Sequence, residues 1–479
     1  MLQLKDFRRG IALGLGLVVL ASGGPSWALD PEVAALVKFE TRGNAVSQRS
    51  DAMIAMEHYE IPLDALESDI SKRIPPEVRD SLIFERDGKK FVRWIINPED
   101  TKWHKEVEKW LTKKGLSKQR HKHFSAYMTA SRSYILEDPV TKAQFSAKVS
   151  TDVTGGAWRD KKQPIDDARQ VRMAADFVQE ELEKGGPVTH SFIMDEPAMF
   201  GIADLDQAML VRSLNTLTSD DHYYLPGFSA VHEKVGAMIA KKNGAKNVAE
   251  FWNEHYNKPL ARALAEFTAR FGLAFDSPHS QNFLVELDKD MKPTGKVVIR
   301  DFGDSYLTTE FFIAKGRADF IKRWEPDNII QKEVHMAIGL LHGNDMPSWL
   351  SERQYIAWGR DFFEEYEKEI SKITGVARSE LRDQMYISGR YFSKNYSVDS
   401  PAWRKFLGTA ESARVDQKVA SAMAKRGAGR AQASAVDSQL VKDLMDSVNS
   451  KDSAATVKLL TKCMQQFKNM QVPDPGNPR

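Results

Sequence analysis

The spacing of apolar residues changes character several times along the chain, and each change marks a predicted element. Residues 30–75 carry apolar side chains at near-helical intervals and end at Pro75-Pro76, so a helical stretch is expected there. From Ile83 to Ile96 apolar and polar positions flank Asp87-Gly88, which predicts a β-hairpin. Lys102 to Lys122 returns to a helical period, with Trp103, Val107, Trp110 and Leu111 on one face and a basic, solvated face opposite.

Strand-like runs follow at Ser133 to Leu136 and Gln144 to Ser150, with a turn at Gly155-Gly156. Ile165 to Lys184 predicts a helix that Gly185-Gly186-Pro187 stops, and a strand is expected around Ser191 to Met194. Two helices are predicted over Val231 to Lys242 and Ala249 to Arg270. Phe283 to Leu287 and Lys296 to Ile299 then make a hairpin about Lys292-Pro293-Thr294-Gly295. Beyond about residue 310 the pattern is mostly helical. Residues 409–436, rich in Ala, Ser, Lys and Arg, predict a linker, and 437–479 a last helix and a tail. The expected organisation is an N-terminal helical and hairpin subdomain over 29–124, a second subdomain over 125–230, and a third over 231–408.

Composition narrows the function classes. A chain of 479 residues with 42% apolar side chains can close a sizeable core in two or three subdomains, and 28% charged residues give a normal soluble surface. Lys5, Arg8 and Arg9 precede an apolar run from Ile11 to Ala21 and the small-residue site Ser26-Trp27-Ala28, which reads as a secretory signal over 1–28. The apolar run is about half of the roughly 20 residues that a spanning helix needs, so no stable membrane anchor is expected after cleavage. The expected location is the periplasm or outside the cell. Loss of residues 1–28 brings the formal charge from +2 to 0, which argues against a nucleic-acid partner. Cys463 is the only cysteine, so no internal disulfide is available. Nothing in the sequence fixes the oligomeric state, and a homodimer is left open. His121 and His123 stand two apart, without evident carboxylate partners, and are not assigned a metal.

Two groups of residues could carry chemistry. Asp276-Ser277-Pro278-His279-Ser280-Gln281-Asn282 precedes the 283–299 hairpin, and Arg300-Asp301-Phe302-Gly303-Asp304 follows it. Phosphoryl and nucleotidyl transfer needs oxygen ligands for Mg²⁺ beside the phosphates. An Asn before a hairpin and an Asp after it, here Asn282 and Asp301, are brought side by side by the strands between them. His279 could donate to a phosphate oxygen as charge develops there. Upstream lie Arg132-Ser133, Lys148 in a strand, and Arg159; guanidinium groups bind phosphate bidentately and a strand lysine adds a point charge.

The order Arg132-Ser133, Lys148, Arg159, Asp195-Glu196-Pro197-Ala198, Leu225-Pro226-Gly227-Phe228, His279-Ser280-Gln281-Asn282 and Arg300-Asp301-Phe302 resembles the IucA/IucC family of NRPS-independent siderophore synthetases over roughly residues 125–310. The resemblance implies an α+β, cupped-hand, multi-subdomain fold with a kinase-like palm and a mostly helical C-terminal part. It implies ATP and Mg²⁺ as cofactors, with adenylation of a citrate-like carboxylate and its condensation with an amine or alcohol. It places Arg132, Ser133, Lys148 and Arg159 on the phosphates, His279 and Arg159 as the catalytic pair, and Gln281, Asn282 and Asp301 around nucleotide and metal. Ser277 and Ser280 stand where the family usually has glutamate and glycine. Two other readings are an exported non-catalytic module that binds an anion or nucleotide on the same fold, and a kinase-like phosphotransferase. The latter is disfavoured because Gln281 stands where a catalytic base would be wanted.

Overall fold

Alternating strands dominate the first half of the chain, in a computed structural model that describes residues 29–43, 51–129, 132–153, 160–217, 221–275, 279–303, 305–341, 345–381 and 383–408. All of these lie in one contact unit, Met1–Ala410. The predicted signal, linker and C-terminal helix lie outside the described residues.

In chain order the elements begin with α1 (Pro31–Gly43), β1 (Ile54–Pro62), β2 (Glu67–Ile70), α2 (Pro76–Leu82), β3 (Ile83–Arg86) and β4 (Lys89–Ile95). Next come α3 (Trp103–Lys113), β5 (Arg120–Met128), β6 (Ser133–Glu137), β7 (Gln144–Lys148), α4 (Ile165–Gly185), β8 (Ser191–Ile193), β9 (Ala198–Ile202) and β10 (Gln207–Ser213). The second half continues with β11 (Tyr223–Pro226), α5 (Gly227–Ala230), α6 (Glu233–Lys242), α7 (Val248–Trp252), α8 (Lys258–Phe271), β12 (Leu273–Phe275), β13 (Phe283–Leu287), β14 (Pro293–Ile299) and β15 (Ser305–Thr308). It ends with α9 (Thr309–Ala314), α10 (Ala318–Arg323), β16 (Ile329–Ile330), β17 (Glu333–Ile338), α11 (Glu352–Thr374), β18 (Tyr386–Ser388), β19 (Tyr391–Ser397) and α12 (Pro401–Leu407). Among the described residues no helix is long and apolar enough to cross a membrane.

Three expectations are corrected. The helical stretch expected over 30–75 stops at Gly43, and Ile54 onward is strand; its alternation is masked by a bulge at Met56/Glu57 that shifts the parity of apolar positions. The helix expected over 102–122 ends by Gly115, whose φ of 69° is the left-handed conformation that closes helices, and Arg120 begins β5. The part after 310 is not simply helical: β17, β19 and β18 form a three-stranded antiparallel sheet, with Val334, Met336 and Ile338 inward at a period of two.

The largest sheet has nine antiparallel strands in the order β2-β9-β10-β7-β6-β5-β1-β4-β3. One face is covered by α2 and α3, whose Val78, Leu82, Val107, Trp110 and Leu111 close a core with Phe124, Phe145, Ala147, Met209 and Val211. The other face has two apolar patches. Val33, Leu36 and Val37 of α1 pack with Ile135 and, from the four-stranded sheet β11-β13-β14-β8, with Tyr224, Leu284 and Val298. Ile165, Ala168 and Val171 of α4 pack on Met199, Ala208 and Leu210. This second face also carries the polar residues Ser133, Ser146, Lys148 and Arg212, because Ser133 and Leu210 lie opposite Lys148 and Arg212 lies opposite Ser146.

On the first strands the sheet gathers three histidines. His58 on β1 lies opposite His121 on β5, with ring centroids 5.9 Å apart, and His123 is 6.5 Å away. Contrary to the sequence reading, His121 and His123 are half-buried and do have carboxylate neighbours: His123 Nε2 is 2.6 Å from Asp138 Oδ2, and His121 Nε2 is 3.7 Å from Glu60. His58 is 1% exposed and neither ring nitrogen has a hydrogen-bond partner. Burial first, then the charge of Arg93 and the neighbouring histidines, hold its pKa down from 6.5 to about 3, so the ring is neutral.

Candidate active site

The β13–β14 hairpin brings together the two loops that the sequence singles out. Phe283 pairs with Ile299, and the ladder runs one step further because Arg300 N–H donates to the Asn282 carbonyl at 3.1 Å. Asn282 N–H in turn donates to the His279 carbonyl at 3.0 Å, closing the short turn Ser280–Asn282. His279 is half-buried and bridges in parallel to Gly339. The side chain of Arg300 folds back on this turn: Nε and Nη2 donate to the Gln281 carbonyl at 3.0 and 2.9 Å, and Nη1 pairs with the buried Glu40 of α1. Arg300 is therefore a tie between three segments.

That neighbour, Asp301, adopts a φ of 59°, a left-handed conformation that Asp tolerates better than most residues and that often marks a functional constraint. Its Oδ1 accepts a hydrogen bond from Lys148 Nζ at 2.9 Å and lies 3.3 Å from Arg212 Nη2. Burial works to raise the Asp301 pKa, but Lys148 and Arg212 outweigh it and hold the carboxyl far below the usual range. A quarter of its side chain is nonetheless exposed, against 14% for Lys148.

Behind it, Arg212 donates Nη2 and Nε to Glu196 Oε1 at 2.6 and 3.1 Å, and both side chains are buried. Burial opposes the guanidinium charge, and Glu196 and Asp301 restore it. Glu196 belongs to the Glu-Pro-Ala segment that enters β9, so the sheet itself supplies the counter-ion.

Two further cations stand around the same carboxylate. Arg132 Nη1 donates to the backbone carbonyl of Lys161 at 3.0 Å and to that of Lys162, so the guanidinium supports the 161–162 backbone while its charge still acts on Asp301. Lys161 has its pKa lowered by burial and by the nearby Arg132 and Lys148. Asp167, at the start of α4, has its carboxyl pushed up by burial against the opposing pull of Lys148 and Arg132. Ser133 lies opposite Lys148 on β6, with its carbonyl accepting from Thr129. Arg159 lies outside the described residues, as do Gly155, Gly156, Asp276, Ser277 and Asp304.

Two glycines let these segments approach. A Cβ on Gly227, in Leu225-Pro226-Gly227-Phe228, would stand 2.0 Å from Tyr256 Oη and 2.7 Å from the Ser280 carbonyl. One on Gly303 would meet Val171 of α4 at 2.3 Å, and Gln170 Nε2 donates to the Gly303 carbonyl at 2.7 Å. Phe302 is fully buried against Phe267. The Asp-Phe-Gly turn is thus backed by α4 and α8.

The arrangement suits a polyanion better than a metal ion. Arg132, Lys148, Lys161 and Arg212 place positive charge around one accessible point, the requirement for triphosphate. Mg²⁺ prefers six oxygens in octahedral array. Among the described residues, Asp301 at the hairpin end carries an ammonium and a guanidinium on Oδ1, with Oδ2 outside both contacts. Among the described residues no three His, Cys, Asp or Glu side chains are grouped to hold a metal. Of the expected site residues, the structure brings Lys148 to Asp301, with Arg132 close enough to act on its charge, and sets Gln281 and Asn282 on the adjoining loop. Sequence reading missed Arg212, Lys161 and the counter-ion role of Glu196. Arg212, a lone charge directly after the apolar run Ala208 to Val211, was itself the available signal.

No protein-family model matches the chain, and no curated protein matches it. Among solved structures, the petrobactin biosynthesis protein AsbB from Bacillus anthracis str. Sterne aligns over 78% of this chain and 72% of its own, with a TM-score of 0.53 and 11% identity. Aerobactin synthetase IucC from a hypervirulent Klebsiella pneumoniae pathotype aligns over 70% and 66%, with a TM-score of 0.48 and 12% identity. At such identities it is the fold that is shared: this chain has the α+β architecture of AsbB, the siderophore-synthetase fold that the order of its motifs implies.

Proposed function

We propose that the chain is an ATP-dependent ligase of the siderophore-synthetase type, which activates a citrate-like carboxylate as its adenylate and passes the acyl group to an amine or alcohol. The observation that carries this reading is the meeting of Lys148 and Arg212, from adjacent strands of the large sheet, with Asp301 at the end of the hairpin that also presents the His279–Asn282 loop. Adenylation requires a substrate carboxylate oxygen to attack the α-phosphorus while pyrophosphate leaves, so negative charge builds on the phosphate oxygens. Fixed cations that are largely shielded from water lower that barrier. Lys148 and Arg212 would neutralise the phosphates, with Lys161 and Arg132 adding field. His279 is assigned to donate to the phosphate oxygen that gains charge, and Asn282 and Gln281 to orient the nucleotide. Because the described donor set does not form a ready magnesium site, no step here runs through a metal. Export of the mature chain remains part of the proposal and sets the assay on protein lacking residues 1–28.

The test is carboxylate-dependent exchange of radiolabelled pyrophosphate into ATP, with citrate as first acid, beside a thermal-shift titration with ATP. Exchange with wild type that is lost in His279→Ala is the expected result. Absence of both saturable stabilisation and exchange at millimolar ATP refutes the ligase reading.

A further inference from the structure

Tyr256 is fully buried, yet its hydroxyl makes no hydrogen bond. Burying an unpaired hydroxyl is unfavourable, and phenylalanine would fill the same space without it. Two features of the chain nonetheless make room for this oxygen. The first is Gly227, where a Cβ would stand 2.0 Å from Tyr256 Oη, so that only a residue without a side chain admits the hydroxyl. The second is the turn that carries the ring: Asn253–Asn257 forms a single π turn between α7 and α8. Such a turn inserts one extra residue into a helix and re-aims the side chains around it, often at functional sites. It is braced on α11, because Asn253 Nδ2 donates to Asp361 Oδ2 at 2.5 Å and Asn257 Nδ2 donates to the Trp358 carbonyl at 2.8 Å.

The phenol is aimed at the loop that carries His279. The same missing methyl of Gly227 would stand 2.7 Å from the Ser280 carbonyl oxygen, so this oxygen and Tyr256 Oη flank one small gap. A shift of no more than about 2 Å brings the two into hydrogen-bond range. Ser280 follows His279 directly and opens the short turn Ser280–Asn282. A donor that grips its carbonyl therefore fixes the histidine beside it.

We propose that Tyr256 is a positioning residue for the His279 loop: its hydroxyl donates to the Ser280 carbonyl when a nucleotide binds, and so holds His279 at the phosphates. This rests on the nucleotide-binding reading above and concerns how the loop is set. A hydrogen bond made only in the complex adds to affinity and nothing to the stability of the fold without nucleotide. A hydroxyl that merely fills space, or that holds a buried water, contributes equally in both states.

The experiment is isothermal titration of the full mature chain with ATP and Mg²⁺, beside thermal melts without nucleotide, for wild type, Tyr256→Phe, His279→Ala and the double variant. Tyr256→Phe should melt at or above the wild-type temperature, having no hydrogen bond to lose, and yet bind ATP ~5–10-fold more weakly. In the His279→Ala background the same change should weaken binding by less than ~2-fold, because the group that the tyrosine positions is gone. Equal ATP affinities of wild type and Tyr256→Phe overturn the inference and leave nucleotide binding standing. So does an equal loss in both backgrounds, or a Tyr256→Phe melt several degrees below wild type, which marks the hydroxyl as structural. No binding of ATP by wild type overturns the nucleotide reading and this inference together.

Discussion

Replacing His58 with phenylalanine should change how the protein responds to acid. In the native state the ring is 1% exposed, both nitrogens lack partners, and its pKa is held at about 3 against an ordinary 6.5. The unfolded chain takes up this proton first, so the sign is fixed: stability is fully present above the ordinary value and is lost as pH falls toward the native one. Each pH unit in that window is worth ~1.4 kcal/mol, so about 2.5 kcal/mol disappears between neutral pH and roughly pH 4.5, and about 4 to 5 kcal/mol over the whole window. His58→Phe has no hydrogen bond to lose and keeps an aromatic ring beside Phe124, whose centroid is 6.2 Å away. It should be near neutral or mildly stabilising at pH 7 and increasingly stabilising relative to wild type as the solution is acidified. Urea melts of both proteins at neutral pH and at roughly pH 4.5 measure the difference directly. Parallel stability curves, or a His58 resonance that titrates near its ordinary pKa, would refute the reasoning.

Other outcomes follow from the site. Arg212→Met leaves Glu196 buried without its partner and should cost about 3–5 kcal/mol in chemical denaturation, much of it recovered by adding Glu196→Gln. Glu40→Ala should destabilise by a similar ~3–5 kcal/mol, because Arg300 loses its buried counter-ion; a lowered melting temperature checks it. Gly227→Ala forces a methyl toward Tyr256 and the Ser280 carbonyl, and should cost about 1–3 kcal/mol and weaken ATP binding in calorimetry by displacing the His279 loop.

Elements punctuated by local signals were readable from the chain. The hairpin at Asp87-Gly88, the helix ended by Gly185-Gly186, and the 283–299 hairpin all appear near their expected bounds. Errors arose where a long-range feature overrides the local pattern. The bulge in β1 breaks the period-two signal between Met56 and Glu57, and β17 finds its partner β19 only across α11. The same division holds at the site. Asn282 and Asp301 are adjacent because a hairpin joins them, a relation visible in sequence. The contact of Arg212 with Glu196 and Asp301 depends on strand order in the nine-stranded sheet, which local pattern does not encode. Arg132 was read as a phosphate ligand from its type and position; its donation to the 161–162 carbonyls needed the folded backbone to be seen.

The strand alignment around Lys148 also acts as a proofreading device during assembly. Lys148 and Arg212 project from one side of β7 and β10, while Phe145, Ala147, Met209 and Val211 project from the other into the large core. Sliding either strand by a single residue would reverse its sides and drive a cation among those apolar rings, a penalty that no surrounding contact offsets. The cations assigned to the phosphates thereby also disqualify mispaired sheets, so neutralising them should loosen the fidelity of folding.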